Sequence, residues 1–408
     1  MSKASTYRFF LLHQRPLWYG FSQFFFSTMG QAFFLSLFVA HFMEKTGLSA
    51  LQLNVLYTLA SLSSAVLLVF VGPLMDRLDL RKFSWGAGIG GGLACLMMAH
   101  LSNGWMYYLG IFGLRFFGQG FLPLIGMTAM GKYFEADRGK ALSFTMFGMS
   151  VAEMLVPALV LAILGMGQWA NLWYGLGFFE ALFFPLLCWL LVGKDDKFLN
   201  FKQNGSSKNG PAFIQTLVRR PVFWIYSLVF VLSPMLNAGF LLNSKQFLDY
   251  KNWSMEFFAF AFVFFGIGRI AGALVGGPLV DRLTARKLAV WVLLPSLTLF
   301  PLILIPEQWV LLVFLFSLGA NLSFANVVGT SFWAEVFGPE NVGTCRSLTS
   351  TMMVLVTAVA PTIFAVGYQY GIAFFLAGFG LFLPVISILA GIFGSRGNSS
   401  TVNLMTKD

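Results

Sequence analysis

Charge is scarce in this chain: of 408 residues only 10% are Asp, Glu, Lys or Arg, against roughly 25% in soluble domains. With hydrophobic residues at 58%, that deficit argues against a soluble enzyme and makes lipid the main solvent. Cysteine is nearly missing as well. Cys95, Cys188 and Cys345 stand in or beside apolar runs without paired spacing, which provides neither a disulfide framework nor a metal site and leaves them as packing residues. His13, His41 and His100 are scattered near the ends of such runs, with no ligand spacing, and read as interfacial. No P-loop, nucleophile elbow or metal signature occurs. The segment Gly86-Ala-Gly-Ile-Gly-Gly-Gly92 follows no strand and lies inside an apolar run, where glycines serve close helix packing rather than a nucleotide. Chemistry on a substrate, a cofactor and a metal are therefore not expected. Met1 to Arg15 lacks a short apolar core with a small-residue cleavage site, so the first span is expected to stay attached. Nothing marks a lipid anchor or a separate soluble domain.

What is abundant is apolar and aromatic: 48 Phe and 11 Trp supply surface for lipid contact and interfacial belts. Apolar runs bounded by charges, Gly or Pro predict twelve spans, at 17–43, 51–73, 83–101, 105–131, 139–165, 168–193, 221–243, 255–278, 288–305, 309–334, 345–368 and 371–395. The domain reading is a first six-helix half, 1–193; a linker, 194–220, polar and turn-rich around Asn204–Pro211; a second half, 221–395; and a tail, 396–408. Orientation follows from the cations. With both termini cytoplasmic, the opposite loops hold only Lys45, Lys245 and Lys251 of the 26 Lys and Arg, and Arg115 and Arg269 fall inside spans. The net charge of +10 thus records topology in a multi-pass inner or plasma membrane protein rather than nucleic-acid binding.

Gly72-Pro-Leu-Met-Asp-Arg-Leu-Asp-Leu-Arg-Lys82 returns as Gly277-Pro-Leu-Val-Asp-Arg-Leu-Thr-Ala-Arg-Lys287, so the chain is built twice. Six spans per copy return it to the same side, giving parallel repeats. The two segments resemble the loop motif between the second and third helices of the major facilitator superfamily, Gly-x-x-x-Asp-Arg-x-x-x-Arg-Lys. The fold implied is an all-α integral membrane protein of twelve transmembrane helices in two pseudo-symmetric six-helix halves. Gly72 and Gly277 are expected to let helices approach closely. Asp76 and Asp281, with Arg77 and Arg282, sit where spans leave the membrane, and helix N-termini near Arg138 and Arg346 begin on the same side, able to attract carboxylates. The resemblance implies that Asp76 faces the eleventh helix and Asp281 the fifth, closing a cytoplasmic gate; the alternative is that these charges only solvate turns and fix topology.

Arg269 lies twelve residues before Asp281, about 18 Å along a helix at 1.5 Å per residue, near the middle of the hydrocarbon layer. A guanidinium there needs water, a carboxylate or a substrate. At this place the chain resembles the monocarboxylate and oxalate/formate branch, in which an eighth-helix arginine binds the substrate carboxylate. The eleventh span, from Arg346 to Gly367, holds no lysine, so a dicarboxylate is no better supported than a monocarboxylate. Arg115 and Glu153 fall at similar depths in adjacent antiparallel spans, as a structural pair or a proton-linked one. Leu114-Arg-Phe-Phe-Gly-Gln-Gly120 is similar to the superfamily's fourth-helix motif, which implies proton coupling. Glu180, midway along the sixth span, has no partner identifiable in the sequence and reads as a protonated packing residue or a transport residue. Gln23, Ser27 and Gln31 recur on one face of the first helix, Tyr108, Arg115 and Gln119 on one side of the fourth, Ser233 and Asn237 lie in the seventh, and Asn321 and Asn326 in the tenth. In the superfamily these four helices line the cavity, so such residues are candidate substrate contacts or interhelical hydrogen bonds.

The expectation is a secondary active transporter, likewise monomeric, for a small organic anion in symport or antiport with a proton. Arg269 would hold the carboxylate, Gln31, Asn237 and Asn321 would assist, and Arg115 and Glu153 would couple. The alternatives are an exporter of a bulkier compound, such as a drug or a carboxylate siderophore, and a non-transporting membrane sensor.

Overall fold

In lipid a backbone has to satisfy its own polar groups, and the long apolar runs accordingly fold as helices. The computed structural model describes residues 9–71, 79–134, 138–167, 169–193, 211–338 and 341–396, and among these no strand occurs. The first span, α1, is broken into Gln14–Phe26, a 3-10 turn Ser27–Gly30, Ala32–Ser36 and Val39–Thr46. Then follow α2 (Ala50–Val71), α3 (Leu80–Ala99), α4 (Gly104–Gly113, a π-helical stretch Leu114–Phe121, and Leu122–Tyr133) and α5 (Arg138–Gly165). The sixth, α6, runs through Trp169–Phe178, a π-helical turn Phe179–Phe183 and Phe184–Val192. A short helix, Pro211–Val218, precedes α7 (Pro221–Leu242), and another, Ser244–Lys251, precedes α8 (Met255–Leu283). The last four are α9 (Ala285–Leu304, irregular in its middle), α10 (Trp309–Phe337), α11 (Val342–Gln369) and α12 (Ile372–Arg396).

Ten of these are long and apolar enough to cross a membrane, and α1, bent by 76° before Val39, makes an eleventh. The remaining expected span is occupied by α3. Its five glycines and the Arg81-Lys82 pair dilute its apolarity below that of its neighbours.

Two compact units, Met1–Asn204 and Gly205–Asp408, divide the chain. Within the first, α1 packs on α5, α2 on α4 and α3 on α6. Within the second, α7 packs on α11, α8 on α10 and α9 on α12. Adding six to each partner of the first set gives the second, so the duplication seen in the loop motif extends to the packing of each unit. Small residues set the closest approaches. A Cβ on Gly272 would meet the Ala320 backbone, and one on Gly319 the Phe265 backbone, which is why α8 and α10 lie in contact along their length. Gly277 does not act this way: among the described residues nothing stands within 4 Å of a Cβ built there. The close approach expected of that glycine is made five and nine residues earlier, by Gly272 and Gly268.

Candidate functional site

The first unit is irregular where its intramembrane arginine lies. Arg115, buried, sits in the π-helical stretch of α4 and donates from Nη1 to the Gly30 carbonyl at 3.1 Å; its guanidinium lies 5.1 Å from the centroid of the Tyr57 ring. Gly30 ends the 3-10 turn of α1, and Gln31 then takes an extended backbone, so that carbonyl has no helical partner to its C-terminal side. Such backbone is tolerated at membrane depth where it is buried in protein, and here it packs directly on Gly118 and Leu114 of α4. The guanidinium is therefore engaged by α1 and α2. Glu153 is buried on α5.

The break also changes the polar face expected of α1. Gln23 is buried and donates to Ser84 and Cys188 at 3.3 and 3.4 Å, while Ser27 bonds within its own turn, to the Phe24 carbonyl. Both serve packing rather than a cavity. Gln31, beyond the turn, is half-buried. On α4, Tyr108 shares a 2.9 Å hydrogen bond with Ser63 of α2.

The second unit contains a small open cavity of about 70 Å³ between α7, α10 and α11. Phe230 and Trp333, with ring centroids 5.8 Å apart, and Pro234 and Met353 give it apolar walls. Arg346, Thr349, Ser350, Asn326 and Thr330 supply the polar groups, and no carboxylate is among the lining residues described. One guanidinium and several hydroxyls without an acid form a setting for an anion with an apolar body. Beside it, Asn321 Nδ2 donates to Ser233 Oγ at 2.9 Å, tying α10 to α7, and both residues are buried. Asn237, one turn from Pro234, is half-buried, and its Oδ1 has no hydrogen-bond partner among the described residues. Arg269 is half-buried on α8 and is not part of that lining.

Of the residues expected at the gate, Asp76 and Arg77 lie outside the described residues, as do the side chains of Arg138 and Asp281. Arg282 is exposed, and Arg346 lines the cavity. Two carboxylates that the sequence did not single out organise the starts of α3 and α9. Asp79 accepts from the Arg81 backbone N–H at 3.0 Å and pairs with its guanidinium, which also donates to the Gly193 carbonyl at 2.5 Å. Burial works to raise the Asp79 carboxyl, but these bonds and the Arg81 charge outweigh it and hold it below the usual carboxylate range. Glu335 of α10 accepts from the Ala285 and Arg286 backbone N–H groups at 2.7 and 3.3 Å, capping α9 from another helix. Among the described residues no group of three or more His, Cys, Asp or Glu converges as a metal site would require.

Duplicated six-helix units with small-residue packing, buried polar links and a polar-lined cavity define a multi-pass membrane transporter. Residues 20–361 match the Major Facilitator Superfamily, and the chain belongs to that family. No curated protein matches it in sequence. Among solved structures it is similar to a bacterial homologue of the human lysosomal transporter Spinster in two states. The inward-facing, unoccupied form gives a TM-score of 0.70 at 13% identity, covering 96% of this chain and 97% of the other. The inward-facing, occupied form gives 0.68 at 14% identity, with 99% of each chain covered. At such identities the likeness speaks for the fold.

Proposed function

We propose that this transporter moves a small organic anion, first of all a carboxylate, across the cytoplasmic membrane by secondary active transport with alternating access, with a proton as coupling ion. The observation that carries the anionic reading is the cavity of the second unit, which Arg346 lines with hydroxyls and an amide and to which the described residues add no acid. Arg269, half-buried near the middle of α8, is the proposed carboxylate ligand, in keeping with the resemblance to the monocarboxylate and oxalate/formate branch. Gln31, Asn237 and Asn321 are proposed as weaker contacts through their amide N–H groups. Arg115 and Glu153 are proposed for coupling, and Asp76, Arg77, Asp281, Arg282, Arg138 and Arg346 for the gate. The protein would act as a monomer with both termini cytoplasmic, and would leave its substrate chemically unchanged.

The aromatic walls of the same cavity favour a second reading, export of a bulkier compound. Thermal stability of the purified protein separates the two. A ligand at a hundred times its dissociation constant stabilises by about 2.7 kcal/mol. Mono- and dicarboxylates are expected to raise the melting temperature where their neutral amides do not, and Arg346→Ala and Arg269→Ala should each reduce the effect. Equal stabilisation by acids and amides would contradict the anionic reading and favour the bulkier cargo.

A further inference from the structure

Glu180 is the least accounted-for charge in the first unit. Its side chain is 1% exposed, yet it does not sit among cations: the described contact of its carboxyl is the Cys95 thiol of α3, which lies 3.8 Å from Oε2, and Oε1 has no hydrogen-bond partner among the described residues. The site is built for it. Gly91 of α3 leaves the room that the carboxyl fills, since a Cβ there would stand 2.8–2.9 Å from its atoms, and Gly88 and Gly92 admit the backbones of Glu180 and Gly177. Glu180 also belongs to the π-helical turn of α6, and such turns interrupt the regular ladder and recur at functional sites.

The surroundings connect this turn to the other irregular segments of the unit. Cys95 Sγ lies 3.7 Å from Met29 Sδ, in the 3-10 turn of α1, and Phe26, just before that turn, packs on Phe179 and Phe184 with centroids 5.3 Å apart. The same turn carries the Gly30 carbonyl that Arg115 holds from the π-helical stretch of α4. Three irregular stretches of backbone thus adjoin in series, α4 on α1 and α1 on α6, and the last of them carries the buried acid. From α3 the titratable group facing it is Cys95, whose thiol is met in turn by uncharged Met29 of α1, and the buried cation of the unit, Arg115, is engaged by Gly30 and Tyr57.

We propose that Glu180 is a proton-binding site of the transport cycle, neutral while α3 and α6 are closed over it and ionised when their crossing opens to water. The inference rests on the transporter reading and goes beyond it by assigning the proton to a place away from Arg115 and Glu153. The balance is simple: opening breaks one O–H bond and passes one proton to water, and closing requires its return, because a carboxylate without a cation is costly inside the membrane. One proton moves per opening, with no redox partner.

Two measurements test this without a substrate, so their failure would leave the anionic reading standing. Infrared pH-difference spectra of the reconstituted protein should show the carbonyl band of a protonated carboxyl that is lost as pH rises, shifts in deuterated water and is missing in Glu180→Gln. In a background lacking Cys188 and Cys345, alkylation of Cys95 by N-ethylmaleimide reports opening of the crossing. The ratio of wild-type to Glu180→Gln rates, which cancels the thiol's own titration, should rise several-fold with pH. A carboxyl band that never titrates in the wild-type protein would overturn the proposal even where the variant fails to fold, as would a pH-independent ratio where it folds.

Discussion

Replacing Gly272 by alanine puts one methyl group where two helices touch, and the cost follows from the geometry. The added Cβ would overlap the Ala320 carbonyl oxygen and stand 2.8 and 2.9 Å from the carbonyl carbon and Cα, all backbone atoms that cannot rotate away. Ordinary contact needs about 3.5–4.0 Å, so α8 and α10 have to separate locally by about an ångström, and a gap of 0.5–1 Å forfeits about a quarter to a half of each contact's attraction. Overpacking of this kind costs about 1–3 kcal/mol. Gly277→Ala is the matched control, since its Cβ meets nothing within 4 Å among the described residues and any gain in helix propensity, up to about 1 kcal/mol, is common to both sites. The difference in stability between the two variants therefore isolates the clash. Thermal unfolding in one detergent should place Gly272→Ala well below the wild type and Gly277→Ala at or above it. Equal melting temperatures for the two would refute the claim that small residues of α8, rather than the loop-motif glycine, set this interface.

Further outcomes follow from the same contacts. Ser233→Ala should cost about 0.6 kcal/mol, the typical worth of an interhelical hydrogen bond in a membrane, and a loss beyond about 2 kcal/mol in a double-mutant cycle with Asn321→Leu would show that the pair does more than tie α7 to α10. Arg115→Lys should fail to restore what Arg115→Gln loses, because an ammonium does not reproduce the planar reach to Gly30 over Tyr57; full rescue of thermal stability by lysine would contradict that geometry. Asp79→Ala should remove about 1 kcal/mol of capping energy at the start of α3. Its carboxyl ionises at lower pH in the folded state than in the unfolded one, so its stabilisation is complete above the unfolded value near 3.8 and is lost as pH falls through the folded one. The wild type and Asp79→Ala should accordingly converge in stability on acidification, and a constant gap would argue against the ion pair with Arg81.

The repeat, the family and the positions of the spans were legible because each rests on a strong local signal: a doubled eleven-residue segment and runs of about twenty apolar residues. Glycine packing in α3 was legible for the same reason, and Gly88, Gly91 and Gly92 do seat α6. What periodicity missed is the loss of period itself. Gln23, Ser27 and Gln31 share a face only in an unbroken helix, and the 3-10 turn at Ser27–Gly30 ends that helix before Gln31. The hydrogen bond from Arg115 to the carbonyl freed at Gly30 was likewise beyond the sequence, because a backbone acceptor leaves no side-chain signal. The π-helical turns around Arg115 and Glu180 leave no pattern in composition, since they arise where α1, α3, α4 and α6 fit together. Glu335 was passed over because a carboxylate three residues from a helix end usually faces solvent, and its role depends on where α9 starts. Arg346 was read as a gate charge, and only the folded unit brings it to the same cavity as Phe230 and Trp333.

The anionic assignment is tested most directly by transport itself, with the wild type, Arg269→Lys and Arg269→Ala reconstituted into vesicles and offered radiolabelled mono- and dicarboxylates under an imposed pH gradient. Carboxylate movement is expected of the wild type, with at least about a tenfold loss in Arg269→Ala, equivalent to about 1.4 kcal/mol, and intermediate function in Arg269→Lys. Wild-type vesicles that move no carboxylate, or an Arg269→Ala protein that moves it at the wild-type rate, would contradict the assignment.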